Sequence, residues 1–402
     1  MKLNRRTVVL GAIASMAAPL SALAQKRNGP GVSDTEIRIG STMPFSGPVS
    51  ILGTLGKTSL AYFNKLNEEG GINGRRIKLI QYDDGYNPGK ALELTRRLVE
   101  QDEVSFIFET VGTATNNAIY RYLNGKKVPQ LLIFSGASKW NDVASAPFTI
   151  SGMPTYNAEG RVYARWILEN MPGAKIAVLM QNDDFGRDYL AGIKAGLGDK
   201  AKDMIVAQST YETTDASVDS QVVSLKGSGA NVFISLSNGK FTVQSMKKAH
   251  DIGWKPQVIL PLGSSSLSAI MRPAGADAGR GAITGVYNKP VSDPQFDKDP
   301  GVVGLREFLK KWLPEADPTD SLVGGGYTAA QVLENILRRC GDDLTRENIM
   351  KQASSLSGIS TPLLMPGITL STSEKDHELY GHLWLQRFDG NAWIPFGKAI
   401  SV

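Results

Sequence analysis

The sequence of 402 residues contains one cysteine and three histidines, and these shortages limit the chemistry that the chain can perform. The lone cysteine, Cys340, cannot form an intramolecular disulfide, so stability must come from a hydrophobic core. It ends an apolar helical pattern, which favours a buried small side chain over a reactive thiol. His250, His377 and His382 are scattered, and the last two, five residues apart, do not share a helical face. The sequence therefore predicts neither a metal site nor a histidine-based catalytic triad.

Familiar catalytic motifs are also missing. No G-x-G-x-x-G follows a predicted strand, and the sequence has no Walker loop, G-x-S-x-G elbow or H-E-x-x-H motif. The paired acids Asp83-Asp84 and Asp183-Asp184 fall in predicted turns. Solvated carboxylates are common in turns, so we favour that interpretation, and a role in acid–base catalysis is the alternative. We therefore expect a protein that is not an enzyme and that holds no cofactor.

Positive charge is only slightly in excess. The formal net charge is +5, and three of the basic residues, Lys2, Arg5 and Arg6, belong to an N-terminal segment that we expect to be removed, which leaves +2. Nucleic-acid binding needs a concentrated basic face. The composition therefore argues against a nucleic-acid partner.

The chain begins with the pattern of an export signal. The basic start leads into an apolar run from Val8 to Leu23, which ends in Ala22-Leu23-Ala24 before Gln25. Because two serines and a proline interrupt the run, it is a poor membrane span. The alternative to a cleaved signal peptide is a segment that is retained as an N-terminal anchor. The Arg5-Arg6 pair leaves both the Sec and the twin-arginine route open. We expect residues 1–24 to be a cleaved signal peptide and the mature protein to reside in the periplasm.

Short apolar runs alternate with helical patterns along the rest of the chain. Most of the apolar runs are continuous, as is typical of strands that are buried on both faces. Strands are predicted at Ile37–Ile39, Ile77–Tyr82, Ser105–Phe108, Leu131–Phe134, Ile176–Met180, Val232–Leu236 and Val258–Leu260, and helices include Tyr163–Asn170, Tyr189–Leu197 and Val243–Ile252. This alternation predicts an α/β protein with parallel sheets that helices cover on both sides.

Small and hydroxylated residues follow most of the predicted strands. In open parallel sheets, ligands bind outside the carboxyl ends of the strands. Hydroxyls and free N–H groups at helix starts favour an anion such as a carboxylate. Each serine or threonine could instead cap its own helix, and the sequence leaves that alternative open.

A series of short segments occurs in family-like order and spacing. The segments are Ile37-Arg38-Ile39-Gly40, Phe45-Ser46-Gly47-Pro48, Glu69-Gly70-Gly71-Ile72-Asn73-Gly74, Tyr82-Asp83-Asp84, Asn87-Pro88, Ser135-Gly136-Ala137-Ser138 and Asp184-Phe185-Gly186. Together they resemble the leucine/isoleucine/valine-binding protein family over nearly all of the mature chain. The resemblance implies the type I periplasmic binding fold, in which two doubly wound parallel-sheet lobes are joined by three hinge crossings. It places residues 34–152 and 286–363 in the first lobe, and residues 153–285 and 364–402 in the second.

The resemblance also implies a binding site between the lobes. In amino-acid-binding members, a serine and a threonine hold the ligand carboxylate, and these positions match Gly112 and Ser138 here. Thr113 and Thr115 supply hydroxyls beside Gly112, and Phe185 matches an aromatic wall position. The candidate ligand-binding residues are Leu52, Gly112, Thr113, Thr115, Gly136, Ala137, Ser138, Tyr156, Phe185, Asn238 and Leu262.

One departure from the family concerns the ligand ammonium group. Amino-acid binders place a glutamate after a proline to pair with it, and the matching position after Pro261 holds Leu262. An ammonium buried without a partner would cost several kcal/mol. The departure favours a carboxylate without an α-amine, such as an aromatic or branched organic acid, surrounded by Leu52, Tyr156, Phe185 and Leu262. Another acid, Glu109 or Glu159, remains the alternative ammonium partner.

These inferences predict a monomeric solute-binding protein that delivers a small carboxylate to an ABC permease in the inner membrane. A branched-chain amino-acid or amide receptor is the alternative within the same class. A sensory ligand-binding module is the alternative from another class, and no membrane span or signalling domain follows Val402 in this sequence.

Overall fold

The computed structural model describes residues 26–402, and the predicted signal peptide lies outside the described residues. The strands are β1 Arg27–Asn28, β2 Glu36–Met43, β3 Arg76–Asp83, β4 Phe106–Phe108, β5 Gln130–Ile133, β6 Thr149–Ser151, β7 Ile176–Gln181, β8 Ile205–Tyr211, β9 Val232–Leu236, β10 Gln257–Ile259, β11 Ile283–Val286, β12 Asp343–Leu344, β13 His382–Phe388 and β14 Trp393–Ser401. The helices are α1 Gly53–Glu68, α2 Pro88–Glu100, α3 Thr113–Gly125, α4 Tyr156–Asn170, α5 Asp184–Leu197, α6 Ala201–Met204, α7 Asp219–Gly227, α8 Lys240–Asp251, α9 Arg272–Ala274, α10 Ala276–Gly279, α11 Pro300–Trp312, α12 Ser321–Cys340 and α13 Arg346–Ala353. A membrane-spanning helix is not found between residues 26 and 402.

The first sheet has five parallel strands in the order β3-β2-β4-β5-β6. Helices cover both of its faces, and β4 shows the division between them. Phe106 and Phe108 share a core cluster with Phe63 of α1, whereas Ile107 belongs to a separate cluster with Leu98 of α2. Because successive side chains of a strand point to opposite faces, a strand covered on both sides has a continuous apolar sequence.

The second sheet has seven strands in the order β14-β13-β11-β10-β9-β7-β8. The strands from β11 to β8 are parallel to one another, while β13 and β14 form an antiparallel hairpin at one edge. The hairpin joins the sheet because β13 pairs with β11. Ile283 lies opposite Arg387 at one end of this pairing, and Val286 lies opposite Trp384 at the other. The predicted α/β fold class is confirmed, and the hairpin adds an antiparallel edge that the sequence analysis did not include.

The chain passes three times between the two sheets. It leaves the first sheet after β6, leaves the second after β11 to form α11, α12 and α13, and returns from α13 to β13. Helix α12 packs against α1, beside the first sheet. The second and third crossings are hydrogen-bonded to each other, since Lys289 N donates to Leu363 O at 2.7 Å and Met365 N donates to Tyr287 O at 2.8 Å. The last two crossings therefore run side by side as an antiparallel pair.

The single cysteine lies in the core, as the sequence predicts. Cys340 is the last residue of α12, is 6% exposed and donates to Ile336 O. Burial raises the pKa of its thiol to about 12, which keeps it protonated and unreactive at neutral pH.

Candidate functional site

A cavity of about 340 Å3 lies where the carboxyl ends of the strands of both sheets meet, and we call it the cleft cavity. The first sheet contributes residues that follow β2 to β6, and the second contributes residues that follow β7, β9 and β10. Its walls are Leu52, Tyr86, Gly112, Thr113, Phe134, Met153, Tyr156, Phe185, Tyr189, Asn238, Pro261 and Gly263. This is the edge at which open parallel sheets bind ligands.

The N-terminus of α3 opens into this cavity. Gly112 precedes the helix with φ 98°, and a Cβ there would overlap the Tyr86 ring, so only glycine fits. No side chain caps this helix, because the residue at the N-cap is glycine, and Thr115 Oγ1 donates to the carbonyl oxygens of Val111 and Gly112. The first N–H groups of an uncapped helix carry a partial positive charge. The arrangement suits an anion.

Three hydroxyl groups lie at this helix start. Thr113 Oγ1 lies 2.9 Å from Ser135 Oγ and 3.3 Å from the hydroxyl of Tyr156. Burial raises the pKa of Tyr156 to about 12, so its hydroxyl keeps its proton at neutral pH. Trp140 Nε1 donates to Ser135 Oγ at 3.0 Å, and this hydrogen bond holds the serine hydroxyl in place. The cavity thus has neutral donors next to the helix N-terminus.

Aromatic rings from α4 and α5 form the opposite wall. Tyr156 and Tyr189 stack with ring centroids 4.5 Å apart and an angle of 21° between their planes. Phe185 meets both rings edge-on, at 5.1 Å from Tyr156 and 5.3 Å from Tyr189. Such interlocked rings present a rigid apolar surface to a ligand.

The acids nearest the cavity are hydrogen-bonded within the protein. Glu159 is fully buried behind the aromatic wall, where it accepts from Leu262 N at 2.8 Å, from the Tyr189 hydroxyl at 2.7 Å and from the Tyr163 hydroxyl. Burial raises its pKa to about 7, although these three donors oppose the rise. Asp183 caps α5 by accepting from its first N–H groups. Among the described residues, no acidic side chain forms part of the cavity wall.

The predicted site residues fall into two groups. Those that line the cavity are Leu52, Gly112, Thr113, Tyr156, Phe185 and Asn238. Those that do not are Thr115, whose hydroxyl bonds the backbone, Gly136, whose carbonyl accepts from Tyr156 N, Ala137, whose carbonyl accepts from Trp140 N, Ser138, which bonds Asp188, and Leu262, which lines an adjoining cavity. Their roles in ligand binding stay predictions.

Sequence reasoning missed half of the wall. The residues not anticipated are Tyr86, Phe134, Met153, Tyr189, Pro261 and Gly263. Phe134 directly follows β5, so its position at a strand end was a signal that could have identified it. Met153 lies in the first crossing, and its place in the wall depends on how the two sheets face each other.

Polar contacts join the two halves at the rim of the cavity. Asp184 Oδ2 accepts from Lys139 Nζ and from Asn117 Nδ2, each at 2.8 Å. Asp188 Oδ2 accepts from Ser138 N at 2.8 Å and from Ser138 Oγ at 2.9 Å. We call these four hydrogen bonds the rim contacts. They connect α3 and the turn after β5 with α5, so the structure has a closed cleft.

Comparison with known proteins gives relatives that match most of the chain. A homologue of the Leu/Ile/Val-binding protein from Brucella suis is 24% identical over 294 residues, which are 70% of this chain and 71% of the relative. A branched-chain amino-acid ABC transporter protein from Thermus thermophilus with bound valine superimposes with a TM-score of 0.82 at 16% identity, over 92% of this chain and 98% of its own. A solute-binding protein of an ABC transporter from R. palustris, in complex with benzoate, gives a TM-score of 0.76 at 18% identity, over 91% and 98%.

These matches confirm the resemblance drawn from the sequence segments, and the type I fold with it. The family described as periplasmic binding protein matches residues 36–392, which is most of the chain. The match includes the first sheet, the second sheet except its edge strand β14, the three crossings and the whole cleft cavity. The chain therefore belongs to the periplasmic binding protein family.

Proposed function

We propose that this protein is the solute-binding component of an ABC importer and that its ligand is a small carboxylate without an α-amine, aromatic or branched. The observation that carries the proposal is the composition of the cleft cavity. Its walls combine an uncapped helix N-terminus with neutral hydroxyls and aromatic rings, and they hold no acidic side chain among the described residues. The site therefore suits a negative group attached to an apolar body.

The carboxylate would lie at the start of α3. The N–H groups of that first turn and the hydroxyl of Thr113 are the available donors. Hydrogen bonds to a charged group contribute about 1.5–3 kcal/mol each, so two or three of them supply much of a micromolar affinity of about 8 kcal/mol. Gly112 supports this grip because its missing side chain lets the ligand approach the backbone.

The apolar body would lie against the aromatic wall. Leu52 and Phe134 of the first half face Tyr156 and Phe185 of the second half across the cavity. Benzoate and branched short-chain acids are compact ligands with one apolar body that can lie against these rings. The benzoate complex of the R. palustris relative supports this ligand class.

The absence of an ammonium partner distinguishes this proposal from a branched-chain amino-acid receptor. A bound amine would need Glu159, whose two oxygens already accept from Leu262 N and from two tyrosine hydroxyls. Taking Glu159 from these donors would leave the buried Tyr189 hydroxyl and Leu262 N unpaired, at a cost of about 1–3 kcal/mol each. The valine complex of the Thermus thermophilus relative keeps the amino-acid receptor as the second candidate.

Ligand capture would proceed by closure of the cleft. A ligand shifts an open–closed equilibrium only through contacts that it gains in the closed form. The carboxylate would contact α3 in the first half, while the rings of α4 and α5 in the second half cover its apolar part. The closed protein, acting as a monomer outside the inner membrane, would then dock on the permease.

A thermal-shift panel tests the ligand class. We expect benzoate or 3-methylbutanoate to stabilise the protein, by about 2.7 kcal/mol at 100 times the dissociation constant, and leucine and valine to have little effect. The reverse pattern would contradict the proposal and establish the amino-acid receptor.

A pair of threonine variants tests the position of the carboxylate. Thr113→Val removes a hydroxyl in the cavity wall and should weaken acid binding about tenfold. Thr115→Val is the matched control, because its hydroxyl bonds the backbone of its own helix start and does not line the cavity. Equal affinities for the parent and Thr113→Val, measured by calorimetry, would show that the carboxylate lies elsewhere.

A further inference from the structure

Tyr86 is a wall residue of the cleft cavity to which the proposed function gives no role. It lies in the turn between β3 and α2, and it is 8% exposed. In the core of the first half it belongs to one cluster with Leu52 and Val111. The ring therefore packs in the first half and at the same time forms part of the ligand site.

The backbone of Tyr86 has a conformation that a large side chain rarely adopts. Its φ is 62°, in the left-handed region, and the φ of Gly85 before it is 58°. Tyr86 N donates to Asp84 Oδ1 at 2.7 Å, and Asp84 is fully buried, so the turn is fixed from within. Unfavourable conformations of this kind persist where the surrounding structure enforces them, and they concentrate at functional sites.

The ring of Tyr86 lies against the start of α3. A Cβ at Gly112 would overlap Tyr86 Cε2 and would lie 3.0 Å from Tyr86 Cζ, so the ring occupies the space that a side chain of residue 112 would need. Gly112 directly precedes the first turn of α3, whose N–H groups are the proposed donors to the carboxylate. The ring is therefore beside the place proposed for the carboxylate.

Groups of the second half face the hydroxyl end of this ring. Burial raises the pKa of the Tyr86 hydroxyl, the charge of Asp183 adds to the rise, and the Gln181 amide opposes it. Gln181 is itself held, because Nε2 donates to Asp183 Oδ2 at 2.7 Å and Oε1 accepts from the Tyr211 hydroxyl at 3.1 Å. With neighbours in both halves, the ring has little freedom to move aside for a ligand group in the closed cleft.

A ring held beside the carboxylate limits what the ligand can carry at that end. Atoms forced into a packed site must displace their neighbours, which is unfavourable. A substituent on the carbon that bears the carboxylate, or on the ring carbon next to it in an aromatic acid, would meet the Tyr86 ring. An α-ammonium group is a substituent of this kind, so the same ring also disfavours amino acids.

We infer that Tyr86 is a specificity-determining residue, which confines the ligand to acids that carry no substituent beside the carboxylate. The inference rests on the proposed function, because it takes the carboxylate to lie at the start of α3. Benzoates substituted at position 4 and 3-methylbutanoate belong to the accepted class. Benzoates substituted at position 2 and 2,2-dimethylpropanoate belong to the excluded class.

Calorimetry with two pairs of isomeric acids tests the inference. The pairs are 4-methylbenzoate with 2-methylbenzoate, and 3-methylbutanoate with 2,2-dimethylpropanoate. In each pair that binds, we expect the parent to bind the first acid at least about tenfold tighter than the second. Tyr86→Ala opens space beside the carboxylate and should reduce this ratio to within about threefold. Tyr86→Phe keeps the ring and should keep the ratio.

Phe185→Ala is the matched control, because it removes a ring from the aromatic wall. It should weaken both acids of a pair alike and leave their ratio unchanged. If Tyr86→Ala unfolds at a much lower temperature than the parent, Tyr86→Gly removes the ring with a residue that suits a φ of 62°.

Three results would overturn the inference and leave the proposed function standing. They are equal affinities of the parent for both acids of a pair, a ratio that removal of the Tyr86 ring leaves unchanged, and a ratio that Phe185→Ala lowers as much as Tyr86→Ala does. Failure of all four acids to bind the parent would overturn the proposed function as well.

Discussion

Gly112 joins α3 to the strand before it with a backbone conformation that a larger residue would strain. Its φ is 98°, and a Cβ would overlap the Tyr86 ring. We expect Gly112→Ala to lower the free energy of unfolding by at least about 1 kcal/mol and to weaken acid binding about tenfold, because the first N–H groups of α3 would shift. Urea unfolding and calorimetry measure the two effects.

Gly125 provides the matched control at the other end of the same helix. A Cβ there would meet nothing within 4 Å, so Gly125→Ala should leave binding unchanged and raise stability by up to about 1 kcal/mol. If both substitutions weaken acid binding alike, the start of α3 has no special part in holding the anion.

Glu109 makes stability depend on pH. It is 1% exposed, Oε2 accepts from Ser59 Oγ at 2.6 Å, and Oε1 has no partner. Burial raises its pKa from 4.5 to about 8. Because the folded state holds this proton more tightly than the unfolded state, the stability from this group is complete below about pH 4.5 and is lost as the pH rises to about 8.

Glu109→Gln removes this titration. We expect the free energy of unfolding of the variant to fall less between pH 5 and pH 8 than that of the parent. Glu159, whose pKa is raised to about 7, and Asp84, whose pKa is raised to about 6, contribute to the remaining slope. Urea unfolding at both pH values measures the difference. The exposed Glu93 is the control, and Glu93→Gln should reproduce the parent. Identical slopes for the parent and Glu109→Gln would contradict the assignment.

Helices α4 and α5 approach closely because glycines face the partner helix. A Cβ at Gly192 would overlap Asn157 O, and a Cβ at Gly160 would lie 2.7 Å from Tyr189 O. These two helices carry the aromatic wall, so their spacing sets the position of Tyr156, Phe185 and Tyr189. Close backbone packing here links the core to the ligand site.

We expect Gly192→Ala to destabilise the protein by about 1–3 kcal/mol, because the added methyl overfills the interface. Ligand affinity should fall as well, since the aromatic wall moves with α5. Gly227→Ala at the end of α7 is the control, because a Cβ there meets nothing within 4 Å. Thermal unfolding and calorimetry of the two variants test the difference, and a stable Gly192→Ala protein would show that the helices can separate without cost.

The interior strands and helices were predictable, but the polar starts of the helices were not. All seven predicted strands are present, and most of them are buried on both faces and have continuous apolar sequences. The predicted helix from Tyr189 begins five residues earlier, at Asp184, where polar residues form the rim and lack the apolar period. The hairpin of β13 and β14 was missed, although Asp389-Gly390 between them is a hairpin signal.

The site was predictable only as far as local sequence determines it. Gly112 and Thr113 follow a strand and open a helix, so their place in the wall can be inferred from chain position. Ser138 follows a strand too, but its donors face Asp188 of the other half, and that pairing depends on how the halves close. Long-range geometry of this kind has no signature in a single sequence.

The rim contacts hold the two halves of the whole molecule together. Asp188→Ala removes the acceptor of both Ser138 bonds and should shift the molecule toward an open form. Because the apparent dissociation constant rises as the closed fraction falls, we expect acid binding to weaken about tenfold while the unfolding temperature changes little. Small-angle X-ray scattering should show a larger radius of gyration.

Asp199→Ala is the control for this variant, since Asp199 is exposed on the same half and away from the rim. It should leave both the affinity and the scattering curve unchanged. An unchanged radius of gyration and affinity in Asp188→Ala would show that other contacts determine closure.

The path of the chain through the two sheets makes the order of synthesis different from the order of assembly. A nascent chain that ends at residue 286 has all five strands of the first sheet but lacks α12, which packs on α1. The same chain has β11 as an open edge, because β13 and β14 are still to come. The first half therefore becomes complete only with α12, and the second half only with the last twenty or so residues. A C-terminal truncation should damage the second half directly and leave a strand free to aggregate.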